Sequence, residues 1–246
     1  MFNINGRKAL VTGSSQGIGR GIAKALAAYG AEVFVYASQS IDKAEAVAEE
    51  IRLNGGLAHP VVGDLADENC AGQLYGQTGA VDILVLNASV QFRSPWNEIT
   101  PAQAQAQVQV NLLSSLYCIQ KYEPAMAAKG FGRIVTIGSV PQYRPHKDML
   151  VYAATKNAQL SLVRNLAKQL GPKGITVNNV APGVIVTQRN EEALHDENYK
   201  QAVLAGIPCA FLGDEQDCAA AVVMLCGPGA RYITGVDIPV DGGMSL

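Results

Sequence analysis

Two short runs, Ile83-Leu84-Val85-Leu86 and Ile134-Val135-Thr136-Ile137, carry almost no polar side chain. Successive side chains of a strand point to opposite faces, so a strand without a polar face needs cover on both sides. That requirement restricts the chain to a largely parallel sheet sandwiched between helices. Candidate strands fall at Lys8–Val11, Glu32–Ala37, His59–Gly63, Val81–Asn87, Arg133–Ser139, Thr176–Ala181 and Val236–Val240. Segments with helical spacing lie between them, and Gly30, Gly130 and Gly171 stand where helix C-caps are expected. Alternating β and α elements with short connections imply right-handed crossovers and a Rossmann-type, doubly wound, seven-stranded α/β sheet. No repeat or long linker interrupts residues 1–246, which predicts a single domain.

One stretch pulls the other way. Ala102 to Val110 alternates with period 2, as a strand would. Alanine and glutamine favour helix, however, and Thr100-Pro101 is a helix start. The segment is therefore expected to form a long helix to Met126, with Pro124 bending or loosening its last turns.

Composition narrows the function. A net charge of −2 supplies no basic field for nucleic acid or an anionic membrane, and no apolar run is long enough to span a bilayer. The first residues, Met1 to Lys8, contain no apolar signal segment, so a cytoplasmic protein is expected. The five cysteines (Cys70, Cys118, Cys209, Cys218, Cys226) are odd in number and lack CxxC spacing. They read as small buried apolar residues, and with three scattered histidines no metal site is expected.

The first strand runs into Thr12-Gly13-Ser14-Ser15-Gln16-Gly17-Ile18-Gly19, followed by a helix near Arg20. Glycines at these positions permit a tight turn, close approach of backbone to a pyrophosphate, and close packing of helix on strand. The helix N-terminus then offers free N–H groups to phosphate. The spacing G-x-x-x-G-x-G resembles that of the short-chain dehydrogenase/reductase family.

Tyr152 and Lys156 stand four residues apart, on one face of a helix. A free tyrosine is a weak base at neutral pH, and a fixed ammonium beside it favours the phenolate, poising it for proton exchange with an alcohol or carbonyl oxygen. Ser139 closes the fifth strand, where its hydroxyl is placed to hold a substrate oxygen. Asn111 lies in the long helix. Singly, each has an ordinary explanation, such as a solvated helix face or a turn serine. In this order they resemble the family's tetrad: Tyr152 as general acid/base, Lys156 tuning it and binding the nicotinamide ribose, Ser139 orienting the substrate, and Asn111 holding a helix kink and a relay water.

The same resemblance assigns cofactor contacts to Gly13, Ser15, Gln16, Gly17, Ile18, Gly19, Ala37, Ser38, Ser40, Asp64, Leu65, Asn87, Ala88, Ser89, Tyr152, Lys156, Pro182, Gly183, Ile185 and Thr187. Asp64 is expected at the adenine, and Val184 to Thr187 near the nicotinamide amide. Two departures stand out. Ser89 replaces the family's usual glycine, placing a side chain where backbone approaches the cofactor. The interval from Asp64 to Asp82 is short, so the helix there should be stunted. No Asp or Glu follows the second strand to bind a ribose 2′-hydroxyl, which favours NADP(H) over NAD(H) with Ser38 and Ser40 as donors.

Substrate contacts are expected from Val90, Gln91, Phe92, Val140, Pro141, Gln142, Tyr143, His146 and Met149, under a lid at about 186–206 that carries Arg189, Asn190, Glu191, Glu192, His195, Asp196 and Glu197. Gln91, Gln142 and His146 suit hydroxyls, as in a sugar, polyol or hydroxy/keto compound. A 3-oxoacyl-thioester reductase is the alternative enzyme, and a non-catalytic nucleotide sensor or scaffold the alternative of another class. The family is commonly a homotetramer, which sets the expected assembly.

Overall fold

A computed structural model describes residues 2–246, with the side chains of Arg189, Glu192 and Ala193 left outside the description. The two lid assignments to Arg189 and Glu192 therefore fall outside the described side chains.

Seven parallel strands are hydrogen-bonded in the order β3-β2-β1-β4-β5-β6-β7. They are β1 (Lys8–Val11), β2 (Glu32–Ala37), β3 (Leu57–Val62), β4 (Ile83–Leu86), β5 (Gly132–Ile137), β6 (Ile175–Pro182) and β7 (Asp237–Val240). Every expected strand forms, with ends shifted by at most two residues. The two edge strands carry Pro60 and Pro239, positions where a missing N–H interrupts no central ladder.

The helices are α1 (Gly17–Ala28), α2 (Ile41–Leu53), α3 (Cys70–Thr78), α4 (Pro101–Val108), α5 (Ser114–Lys129), α6 (Leu150–Leu170), α7 (Gln188–Leu194), α8 (Glu197–Ala205) and α9 (Glu215–Cys226). They cover the sheet on both faces. Val11, Val85 and Val135 meet Ile22, Val47 and Val222 of α1, α2 and α9. Leu10, Leu84 and Ile134 meet Leu74, Ile119 and Val163 of α3, α5 and α6. The alternation of neighbouring strand residues between these two cores is the reason the strands needed no polar face.

The alternating stretch is helical. Thr100 caps α4 reciprocally, its hydroxyl accepting from the Gln103 N–H (3.3 Å) while Gln103 Oε1 accepts from the Thr100 N–H (3.0 Å). The helix runs three residues past the expected Met126, to Lys129, with Pro124 inside it, and the break in α-helical geometry lies upstream, in a π-turn over Gln109–Leu113. α3 is only nine residues long, as the short interval required. Gly171 keeps right-handed backbone and starts a 3₁₀ turn, and the left-handed stop is Gly174 (φ 75°).

Cys70, Cys118, Cys218 and Cys226 are buried, and burial pushes the last three thiols up to about 12. Cys209 is exposed, which corrects the expectation of five buried cysteines. Its loop residues Cys209 and Ala210 lie beside the chain end, where the Cys209 N–H donates to Gly242 O. No described helix is long and apolar enough to cross a membrane.

Candidate active site

The strand order reverses between β1 and β4, and a cavity of about 770 Å³ opens at the C-terminal strand ends there. The turn after β1 forms its floor. Gly13 (φ 65°) and Gly17 (φ 51°) adopt left-handed backbone that only glycine takes freely. A Cβ on Gly19 would collide with Gly13 O and Asn87 Nδ2, so glycine is what lets α1 start so close to β1. Asn87 joins β4 to this turn, Nδ2 donating to Thr12 O (2.9 Å) and Gly13 O (3.0 Å). Gln16, the N-cap of α1, makes no side-chain cap, leaving the first N–H groups of the helix to a ligand.

A dinucleotide fits this floor. Gly13, Ser15, Gln16, Gly17, Ile18 and Gly19 line the cavity, as do Asn87, Ala88, Ser89, Pro182, Gly183, Ile185 and Thr187. Ser89 has no left-handed backbone, so a side chain stands there without strain. Ser14 faces inward instead, donating to Val11 O (2.6 Å) and accepting from the Tyr36 N–H (2.8 Å).

At the other end Ser38, Asp64 and Leu65 line the cavity, together with Tyr36 and Gln39, which the sequence reading missed. Asp64 Oδ1 accepts from the Ala66 N–H (2.9 Å), fixing the turn after β3. Tyr36 donates to Gly63 O at 2.5 Å, and burial raises its phenol above the ordinary value. Ala37 and Ser40 are not part of the lining: Ala37 is buried in β2, and Ser40 begins α2. Arg20 and Lys24 are tied to carboxylates, Arg20 to Glu50 and Glu215 and Lys24 to Glu50.

Tyr152, Lys156 and Ser139 all line the same cavity. Tyr152 is 6% exposed and Lys156 1%, and the Lys156 Nζ lies 5.7 Å from the phenol ring centroid. The ammonium donates to Ile137 O (2.7 Å), at the end of β5, and to Gln159 Oε1 (3.2 Å). Gln159, fully buried, passes its Nε2 to Ser115 Oγ at 2.9 Å. Asn111 sits in the π-turn without lining the cavity itself. Its Oδ1 accepts from the Val90 N–H (2.8 Å), and its Nδ2 donates to Val90 O (2.9 Å) and Thr155 Oγ1 (3.2 Å). It thus ties the loop after β4 to the helix of the tyrosine.

Of the residues read as substrate contacts, Val90, Gln91, Val140, Pro141, His146 and Met149 line the cavity. Gln142 does not. Its Oε1 accepts from the Ser139 N–H (2.7 Å), so its amide is used in closing the turn after β5. Tyr143 and Phe92 are also outside the lining; Tyr143 donates to Asp237 Oδ2 at 2.5 Å. His146 is half-buried, and desolvation with the Arg93 charge holds its imidazole below the ordinary histidine value. Its Nδ1 accepts from the Asp148 N–H (3.2 Å), which leaves Nε2–H to donate.

Arg93 and Arg144 belong to the lining and were missed. Each directly follows a segment read as substrate-contacting, Val90–Phe92 and Val140–Tyr143, so continuing each loop by one residue would have found both. The expected lid is two short helices: Thr187, Gln188, Asn190, Leu194, Tyr199, Ala202, Val203 and Gly206 line the cavity, while Glu191, His195, Asp196 and Glu197 face solvent. Asp196 caps α8 through the Asn198 and Tyr199 N–H groups.

Comparison with known proteins agrees with this geometry. The family model described as enoyl-(acyl carrier protein) reductase matches residues 13–245. A 3-oxoacyl-(acyl-carrier-protein) reductase of Staphylococcus aureus (strain Mu50 / ATCC 700699) is 37% identical over 244 residues, spanning 98% of both chains. The chain belongs to the short-chain dehydrogenase/reductase family. A 3-oxoacyl (acyl-carrier-protein) reductase from Agrobacterium tumefaciens C58, solved with NADP bound, matches at TM-score 0.94 and 35% identity over 98% of this chain and 95% of that one. A gluconate 5-dehydrogenase from Burkholderia cenocepacia J2315, solved with NADP and tartrate, matches at TM-score 0.93 and 30% identity over 99% and 97%. This short-chain dehydrogenase/reductase is an oxidoreductase acting on a CH–OH group with a nicotinamide cofactor.

Proposed function

We propose that Tyr152 is the general acid/base in hydride exchange between NADP(H) and the carbonyl or alcohol carbon of a small polar molecule. The observation that carries this reading is one cavity lined by the uncapped start of α1 and by Ser139, Tyr152 and buried Lys156. The bound nicotinamide supplies or accepts the hydride. Tyr152 gives a proton to the carbonyl oxygen in reduction and takes it back in oxidation. Lys156 holds a positive charge beside Tyr152 and binds the nicotinamide ribose, Ser139 orients the substrate oxygen, and Asn111 fixes the helix turn that shapes the site. NADP(H) is favoured over NAD(H) because Ser38, Gln39 and Gln16 line the cavity and β2 ends without a carboxylate. Neighbours solved with NADP support the same choice.

Gln91 and the His146 Nε2–H suit a sugar, polyol or hydroxy/keto substrate. A 3-oxoacyl-thioester reductase is the second reading, favoured by the 37% identical relatives. Residues 1–246 act as one catalytic domain in the cytoplasm, assembled as a homotetramer through faces of α4, α5 and α6, with helices α7 and α8 as the substrate lid.

Tyr152→Phe tests the central role. Turnover should fall by about 10²–10⁴-fold, the range for a lost general acid/base, while NADPH affinity changes little. Retained turnover would remove Tyr152 from the chemistry.

A further inference from the structure

Charge is unevenly distributed along the cavity. Among the described lining residues the one carboxylate, Asp64, stands with Tyr36, Ser38 and Leu65 at the end of β2 and β3. The rest of the lining, which includes Tyr152, carries Lys156, Arg93 and Arg144, and no acid. Lys156 is engaged with Ile137 O and Gln159. Arg93 and Arg144 form no ion pair among the described residues. Arg144 spends one Nη1 contact on Met244 O (3.3 Å) and lies beside Gly206, at the end of α8. Arg93 is close enough to His146 for its charge to act on the imidazole. Asp148, whose N–H meets that imidazole, is not a lining residue.

We infer that the substrate carries a carboxylate, recognised by the guanidinium groups of Arg93 and Arg144 while its hydroxyl or carbonyl carbon faces Tyr152. This rests on the hydride-transfer reading above and narrows its substrate to a small hydroxy or keto acid. A guanidinium presents paired N–H donors in the geometry of a carboxylate, and such a pair is stronger and more directional than a neutral hydrogen bond. Both arginines are exposed at the cavity mouth, so they select an acid by attracting and orienting its carboxylate, a gain that an uncharged polyol lacks. The neutral imidazole of His146 and the Gln91 amide then remain for hydroxyl groups along the carbon chain.

The test compares acids with alditols of the same carbon skeleton: glycerate with glycerol, threonate with threitol, gluconate with glucitol. Binding to the enzyme–NADPH complex is read by nicotinamide fluorescence, so turnover is not needed. At least one acid should bind tenfold or more tighter than its alditol, and Arg93→Gln and Arg144→Gln should each reduce that ratio severalfold, most of it being lost in the double variant. The inference is overturned if no acid exceeds its alditol, or if the preference survives both substitutions. It is also overturned if acetoacetyl-coenzyme A, whose phosphates offer charge on a long arm, binds tighter than every acid. Failure of NADPH itself to bind would instead overturn the hydride-transfer reading.

Discussion

Lys156 places an ammonium where only 1% of the residue is exposed, and such a group persists only where acceptors replace the water it has lost. Ile137 O and Gln159 Oε1 are two of those acceptors, and Gln159 is itself held by Ser115. Gln159→Leu removes an acceptor from the ammonium and a donor from Ser115, so unfolding stability should drop by about 1–3 kcal/mol in urea titration. The kcat/KM should fall as well, because Lys156 loses a fixed position beside Tyr152; unchanged stability and rate would show that Gln159 is only filling space. The sequence exposes Tyr152 and Lys156 through their four-residue spacing. It hides Gln159, since a glutamine three residues further along a helix looks like a solvent-facing residue. Its burial is decided by Ser115, 44 positions away. Gln142 misled in the opposite sense: a polar side chain in a loop near the site was used by the loop's own backbone.

Among the elements, the turn from β1 to α1 is packed too closely to admit a Cβ at Gly19. Gly19→Ala would drive a Cβ into Gly13 O of the turn backbone and into Nδ2 of Asn87, the side chain that joins β4 to that turn. NADPH affinity should fall at least tenfold in fluorescence titration, with a stability loss of about 1–3 kcal/mol from overpacking. Unaltered affinity would mean that the turn is not shaped by close approach. Strands were readable because burial on both faces removes polar residues from them. Their ends were less so: β3 starts at Leu57, two residues before the expected His59, because Leu57 pairs with Glu32 on an exposed edge where side-chain pattern is uninformative. At Asn111 a helix kink was expected only through the family resemblance, and the structure has a π-turn over Gln109–Leu113 there. The buried Asn111 side chain satisfies both backbone groups of Val90, a contact between segments 21 residues apart.

For the whole molecule, the alternation of elements predicted the topology, and the reversal of strand order between β1 and β4 put the cavity where glycine turn, Ser139 and Tyr152 converge. The charge in the cavity was legible only in part: Arg93 and Arg144 each stand one residue beyond a segment read as substrate-contacting, but in separate loops that line one cavity only after β4 and β5 pair. Assembly is the other property of this scale. Val108 on α4 and Leu150 on α6 remain exposed, 38% and 56%, and both suit burial against a second copy. Light scattering should give four times the 25.9 kDa chain mass; a mass of one chain would contradict the tetramer. The central claim, that this cavity is a nicotinamide site whose polar rim at β2 prefers a 2′-phosphate, is tested most directly by titrating the protein with NADPH and NADH and following nicotinamide fluorescence. Saturable binding with NADPH about tenfold tighter, or about 1.4 kcal/mol, is the predicted result. Tighter NADH binding would contradict the cofactor choice, and binding of neither would contradict the site itself.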